Sequence, residues 1–170
     1  MMRALVIGLV ATLAGCGFHL AGMRPLPEAL RTVYIEVVAP YRVVQPPLET
    51  ALRAGLQRRG AQVRGSSDAG TTVIRLSGLD ERREVLSIGR DGKALEFRLV
   101  TQVDYQVLRD GQMLVEPGSL RMTRDYSFQP TQVLAKEAEE ARLREFIQAE
   151  MAELILLRLE AQLGHRVPAS

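Results

Sequence analysis

The chain has little of what enzymes and metal sites are usually built from. Its 170 residues include no tryptophan, one cysteine, two histidines and two lysines, and aromatic residues make up 5%. A single cysteine excludes a disulfide framework and a thiolate metal cluster. His19 and His165 sit near the two ends, away from any patterned segment, and neither is placed for a triad or a metal site. No run reaches the ~18 apolar residues of a membrane-spanning helix. Neither sign of charge dominates: 22 basic residues face 20 acidic ones, for a net charge of +2. A nucleic-acid binder would carry a denser basic stripe. Repeats, low-complexity tracts and phosphate-cradling glycine loops are missing too. The basic residues are arginine except for Lys93 and Lys136, a bias that reads first as genome composition.

What is present begins at the amino terminus. Met1-Met2-Arg3 is a short positive segment, and Ala4 to Leu13 is an apolar run too short to cross a bilayer, so residues 1–15 read as a secretory signal peptide. The run ends in Leu13-Ala14-Gly15-Cys16, an apolar residue and two small ones before the only cysteine. That spacing predicts lipidation: the Cys16 thiolate takes a diacylglyceryl group, cleavage makes Cys16 the first residue, and its amine is acylated. The covalent N-acyl diacylglycerol would be the only non-protein group, with no cofactor or metal. Several acyl chains, at ~0.8 kcal/mol per buried methylene, anchor a protein essentially permanently. Gly17 follows rather than Asp, the usual inner-membrane retention signal, which favours the outer membrane and its periplasmic side.

Residues 16–30, with Gly22, Pro25 and Pro27, read as a lipidated, mostly extended tether, and residues 31–164 as one domain. Thr32 to Val38 alternates like a strand. Pro46 and Pro47 suit a helix's first turn, Leu48, Leu52 and Leu56 share one face, and Gly60 closes the helix. After a loop over 65–70, Thr72 to Ile88 reads as strand, and Arg90-Asp91-Gly92-Lys93 supplies a hairpin turn. In the strand Ala94 to Leu108, Leu95, Phe97, Leu99, Val103, Tyr105 and Val107 line one face, and Glu96, Arg98, Gln102, Asp104 and Gln106 the other. A second turn at Asp110-Gly111 leads to a strand over 113–128, interrupted at Pro117-Gly118. Thr131 is the expected N-cap of a helix over 132–163, with an apolar stripe of Leu143, Ile147, Met151 and Leu154 and with Phe146 and Ile155 at its margins. Residues 165–170 are a tail. The order strand, helix, three strands, helix predicts an α+β two-layer sandwich: a four-stranded mixed sheet with two helices packed on one face.

Chemistry is scarce. Cys16 is consumed by lipid, and Asp80-Glu81 and Glu139-Glu140 are the acid/base candidates, read here as solvated faces. Arg58-Arg59 and Arg82-Arg83 read the same way. The sequence predicts no enzyme, and therefore no catalytic residue.

Three segments carry a resemblance. Cys16-Gly17-Phe18-His19-Leu20 with Gly22, then Gly89-Arg90-Asp91-Gly92 with Leu95-Glu96-Phe97, then Arg124-Asp125-Tyr126-Ser127-Phe128 with Val133-Leu134-Ala135-Lys136-Glu137, stand in the order found in the lipopolysaccharide-assembly lipoprotein LptE family. The chain departs from that pattern at Ala21, where a basic residue is common. The resemblance implies an outer-membrane lipoprotein that forms a complex with the LptD β-barrel as a plug in its lumen, assists barrel assembly, and binds lipopolysaccharide for delivery to the outer leaflet. It also implies lipopolysaccharide contact by basic residues at the hairpin turn and at the start of the last helix, here Arg90, with Lys93 beside it, and Lys136. Lipid A phosphates suit such donors. Read from the residues alone, Arg90 is equally a turn residue and Lys136 equally an i,i+4 partner of Glu140.

Two other readings fit the residues. One is a structural lipoprotein subunit of another outer-membrane envelope complex, binding only a protein partner. The other is a lipid-anchored glycan hydrolase, which requires two carboxylates converging in a cleft.

Overall fold

The computed structural model describes residues 26–38, 45–127 and 133–164, the side chains of 133–135 excepted. Cys16 and the signal peptide, most of the tether, the Thr131 cap and the tail lie outside the described residues. Five strands form the sheet: β1 (Thr32–Val37), β2 (Gln62–Arg64), β3 (Thr72–Ile88), β4 (Ala94–Arg109) and β5 (Gln112–Ser127). Two helices, α1 (Pro47–Arg58) and α2 (Val133–Gly164), complete the domain. The spatial order is β2-β1-β3-β4-β5, with β1 parallel to β2 and β3, and β3, β4 and β5 antiparallel.

The expected class holds with one more strand than the four read from sequence. The addition is β2, three residues with one apolar side chain, Val63, too short for any alternation to show. A second correction concerns the tether. Glu28–Leu30 is a 3-10 turn whose Leu30 is fully buried, so the core begins before residue 31. Ala29 O holds that turn to the sheet, accepting from Thr72 Oγ1 at 2.5 Å and from Arg109 Nη2 at 3.1 Å.

The inward positions of alternating strands make the sheet's half of the core: Val33 and Ile35, Ile74 and Leu76, Leu99, Val103, Tyr105 and Val107. Leu48, Leu52 and Leu56 of α1 pack against them, as their spacing requires. Gly60 follows α1 at φ +88° and turns the chain into β2. On α2 the buried stripe is Ile147, Met151, Ile155 and Leu159, flanked by Ala152 and Leu156. The expected Leu154 is 38% exposed, and Phe146 is exposed as well. The stripe continues from Met151 by four residues rather than three, because α1 lies on the Leu156 side of the helix. There Gly55 makes room: a Cβ on it would meet Leu156 Cδ1 at 2.5 Å. Arg58 is a solvated position as expected, 64% exposed, but Arg59 is not, at 25%. They reach across from α1 to Glu153 at 2.8 Å each, and Arg59 also meets Glu160 at 2.7 Å.

The expected break at Pro117-Gly118 is a bulge inside a continuous strand. Tyr105 faces Gly118 and Val107 faces Val115, so β5 spends one residue more than β4 there. Gly118 is the residue that fits, because a Cβ would enter the Tyr105 ring.

Candidate functional site

The three basic residues singled out from sequence lie toward one end of the sheet. The β3–β4 turn is closed by Gly89 N–H to Lys93 O at 2.8 Å and Gly92 N–H to Gly89 O at 3.0 Å, with Gly92 at φ +77°. Asp91 Oδ1 accepts from Lys93 N–H at 3.3 Å, the side-chain-to-backbone bond that makes Asp a turn former. Arg90 and Lys93 are exposed on this turn. Lys93 Nζ lies 3.7 Å from Asp91, and Arg90 has no ion pair among the described residues.

The last β4–β5 pair toward that turn is Glu96 with Ser127, and α2 begins six residues later at Val133. Lys136, in the helix's first turn, therefore stands at the hairpin's end of the sheet. Its side chain is only 14% exposed, against the exposure expected of it. Nor does it pair with Glu140: its Nζ donates to Glu139 Oε2 at 2.6 Å.

Glu140 is occupied elsewhere. Its Oε2 accepts from Arg83 Nη1 of β3 at 2.9 Å and from the Tyr126 hydroxyl of β5 at 2.5 Å. Its Oε1 accepts from Arg144 Nη2 at 2.7 Å. Arg144 also lies 3.8 Å from Glu81. The Arg83 guanidinium sits 4.6 Å from the centre of the Phe97 ring, which stacks on Tyr126 at 5.7 Å. This cluster ties β3, β4 and β5 to the first half of α2, where most side chains beyond Lys136 are exposed. Partial burial pushes the Glu140 carboxyl up, but its three donors outweigh that and hold it below the ordinary glutamate value. Burial and the hydrogen bond to Glu140 push the Tyr126 hydroxyl up.

The cluster corrects the reading of Glu140 as part of a solvated face, since its side chain is 16% exposed; Asp80, Arg82, Arg83 and Glu139 are exposed, as that reading expects. Each candidate acid/base carboxylate is ion-paired: Asp80 with Arg82 at 2.8 Å, Glu81 with Arg144, Glu139 with Lys136, Glu140 with Arg83 and Arg144. Alternation marks Phe97 and Tyr126 as inward but not Arg83. Ile74 and Leu76 set an even-numbered inward face on β3, and only the bulge between Ser77 and Asp80 shifts it so that Arg83 stands opposite Leu99.

The outer face of β4 carries Arg98, Gln102, Asp104 and Gln106 at half-buried positions and an exposed Glu96, as its period predicts. Arg98 grips Asp125 of β5 with two bonds of 2.8 Å, which holds the Asp125 carboxyl below its usual value. A shallow depression of about 290 Å³ near the β4–β5 turn is lined by Asp68 and Asp110 together with Thr71, Val73 and Arg75. Asp110 Oδ1 there accepts from Gly70 N–H at 2.9 Å, so it joins two loops. Among the described residues, no three His, Cys, Asp or Glu side chains are grouped to hold a metal ion.

Comparison with known proteins gives a consistent result. A family model described as "LptE: Lipopolysaccharide-assembly" matches residues 30–159. A Photorhabdus laumondii protein named LPS-assembly lipoprotein LptE is 35% identical over 161 residues, spanning 94% of this chain and 83% of that protein. Its namesake from Pectobacterium atrosepticum is 33% identical over 159 residues, spanning 91% and 83%. The solution NMR structure of an uncharacterized lipoprotein B from Nitrosomonas europaea superposes with a TM-score of 0.66 at 25% identity, covering 88% of this chain and 97% of that one. A minor lipoprotein from Acinetobacter baumannii, solved by crystallography, gives 0.64 at 26% identity, covering 78% and 92%.

Proposed function

The chain belongs to the LptE lipopolysaccharide-assembly family, and we propose that it works as a plug in the lumen of an LptD-like outer-membrane β-barrel, assisting barrel assembly and binding lipopolysaccharide for delivery to the outer leaflet. As an assembly lipoprotein of the cell envelope it is not an enzyme. Acylated Cys16 holds it to the outer membrane from the periplasmic side.

Family membership across the whole folded domain carries this reading. The build of the domain supports it. Helices cover one sheet face, and the other presents Arg98, Gln102, Asp104 and Gln106. A barrel interior is polar, so such a face docks there with little apolar area to desolvate. At the hairpin end, Arg90 and Lys93 are exposed donors for phosphate oxygens. Lys136 contributes less directly, since Glu139 already holds its ammonium.

Making the tagged chain and the barrel together tests the plug. A stable one-to-one complex is expected; recovery of the chain only as a free monomer overturns it, and capture of a different envelope protein in the barrel's place favours the structural-subunit reading. Lipopolysaccharide binding is tested by Arg90→Glu/Lys136→Glu beside a melting curve. Binding should weaken, by less as salt rises. Unchanged binding with an unchanged melt would reduce these residues to a turn and a helix pair.

A further inference from the structure

The hairpin that carries Arg90 and Lys93 also carries aliphatic side chains that the described residues leave substantially exposed. Val85 is 52% exposed, Leu86 41%, Ile88 66% and Leu95 43%. The sequence expectation that Leu95 joins the inward face fails here, because the last buried side chain of β4 toward the turn is Phe97.

The register explains how these residues come to stand out. Val85 faces Phe97 while Ser87 faces Glu96, so β3 spends one extra residue, Leu86. Ser87 faces Glu96 while Ile88 faces Ala94, so β4 spends one extra residue, Leu95. Two bulges follow one another on opposite strands, and the surplus residue of each is a leucine. A bulge re-aims the side chain it carries. Leu95 lies across the neck of the turn, since a Cβ on Gly89 would meet its Cδ1 at 3.3 Å. The turn itself offers two cations against one carboxylate, Arg90 and Lys93 against Asp91. Aliphatic surface beside a turn whose Arg90 has no ion pair among the described residues, with one exposed carboxylate, Glu96, in the neck, matches an anionic amphiphile that sets phosphates at the tip and hydrocarbon along the neck.

We propose that the bulged neck of the β3–β4 hairpin, through Leu86, Ile88 and Leu95 with Val85 beside them, is a subsite for the acyl chains of lipopolysaccharide. This rests on the lipopolysaccharide reading above and adds hydrocarbon recognition to phosphate contact. Its consequence is selectivity: the protein distinguishes acylated from deacylated ligand, which cations alone do not do.

The test uses the full chain held by a C-terminal tag in a mild non-ionic detergent, and measures retention of three probes. They are intact lipopolysaccharide, its fully deacylated but still phosphorylated form, and phosphatidylglycerol. The unaltered protein should hold intact lipopolysaccharide roughly tenfold more tightly than the deacylated form, the gain from covering about one aliphatic side chain. Ile88→Gln/Leu95→Gln should erase that preference and leave the deacylated form bound as before. Arg90→Glu/Lys93→Glu should weaken both. Val85→Gln/Leu86→Gln serves as a second pair if the first does not fold. Equal retention of both forms by the unaltered protein, or a preference that survives the glutamine pair, overturns the subsite alone. Phosphatidylglycerol held as well as lipopolysaccharide makes the neck a general bilayer contact and also overturns it. Retention of neither lipopolysaccharide form overturns the functional reading with it.

Discussion

The backbone N–H of Leu48 donates to Oε1 of Gln148 at 2.8 Å, across 100 residues of chain. Helix α1 enters through Pro46 and Pro47, with no side-chain cap. Proline supplies the right φ but no hydroxyl or amide to cap the first turn. The buried amide of Leu48 therefore needs an acceptor from elsewhere, and Gln148, 3% exposed in the middle of α2, provides it. Gln148→Leu should cost about 1–3 kcal/mol, the penalty of a buried donor left alone. The change should appear as a lower urea midpoint with an unchanged slope. Gln162→Leu, on the exposed side of the same helix, should move the midpoint little.

Gly118→Ala should destabilise the domain by about 1–3 kcal/mol, because the new methyl enters the Tyr105 ring. The pair is coupled. In the background of Tyr105→Ala the ring is gone, and Gly118→Ala should then cost only a fraction of its former value. Additive losses in a denaturation cycle would show that backbone conformation, not the ring, selects glycine there.

Acid should loosen the cluster around Glu140. The folded-state value of this carboxyl lies below its unfolded one, so the stabilisation is present above the ordinary glutamate value of about 4.3 and is lost as pH falls through the lowered folded value. Glu153, held down by its hydrogen bond from Arg59, acts in the same direction and window. Glu140→Gln should flatten part of the acid limb in melts followed against pH and leave the slope above pH 6 unaltered. An acid limb identical to that of the unaltered protein would show the cluster to be energetically silent.

Cys16→Ala should leave an unlipidated, unprocessed precursor, checked by labelling with radioactive palmitate. Normal label on the variant would place the anchor elsewhere. The domain itself should melt as before, since the chain has no second cysteine and no disulfide to lose.

Much of the fold follows from local rules that the chain obeys in turn. Alternation in β1 and β4 marks the face that covers the core, the spacing of Leu48, Leu52 and Leu56 orients α1, and Asp-Gly pairs place both hairpins. These are properties of neighbours in sequence, decided by backbone period and by the φ that glycine permits. The absence of a second cysteine and of patterned histidines likewise follows from composition alone, as does the position of Arg90 and Lys93 on a turn.

Other features depend on residues far apart, and there the sequence is silent. Leu154 and Ile155 are both apolar and one residue apart, and only the position of α1 against Gly55 and Leu156 decides which is buried. Strand β2 exists because β1 offers it an edge, not because Gln-Val-Arg prefers extension. Glu139 and Glu140 look alike in the sequence, yet one pairs within its helix while the other gathers Arg83, Tyr126 and Arg144. The bulges at Leu86 and Leu95 are compensating single-residue insertions, one on each strand, that only the pairing of β3 with β4 defines. Local periodicity settles which face of an element is apolar; what that face meets, and where it stops meeting anything, is settled by long-range packing.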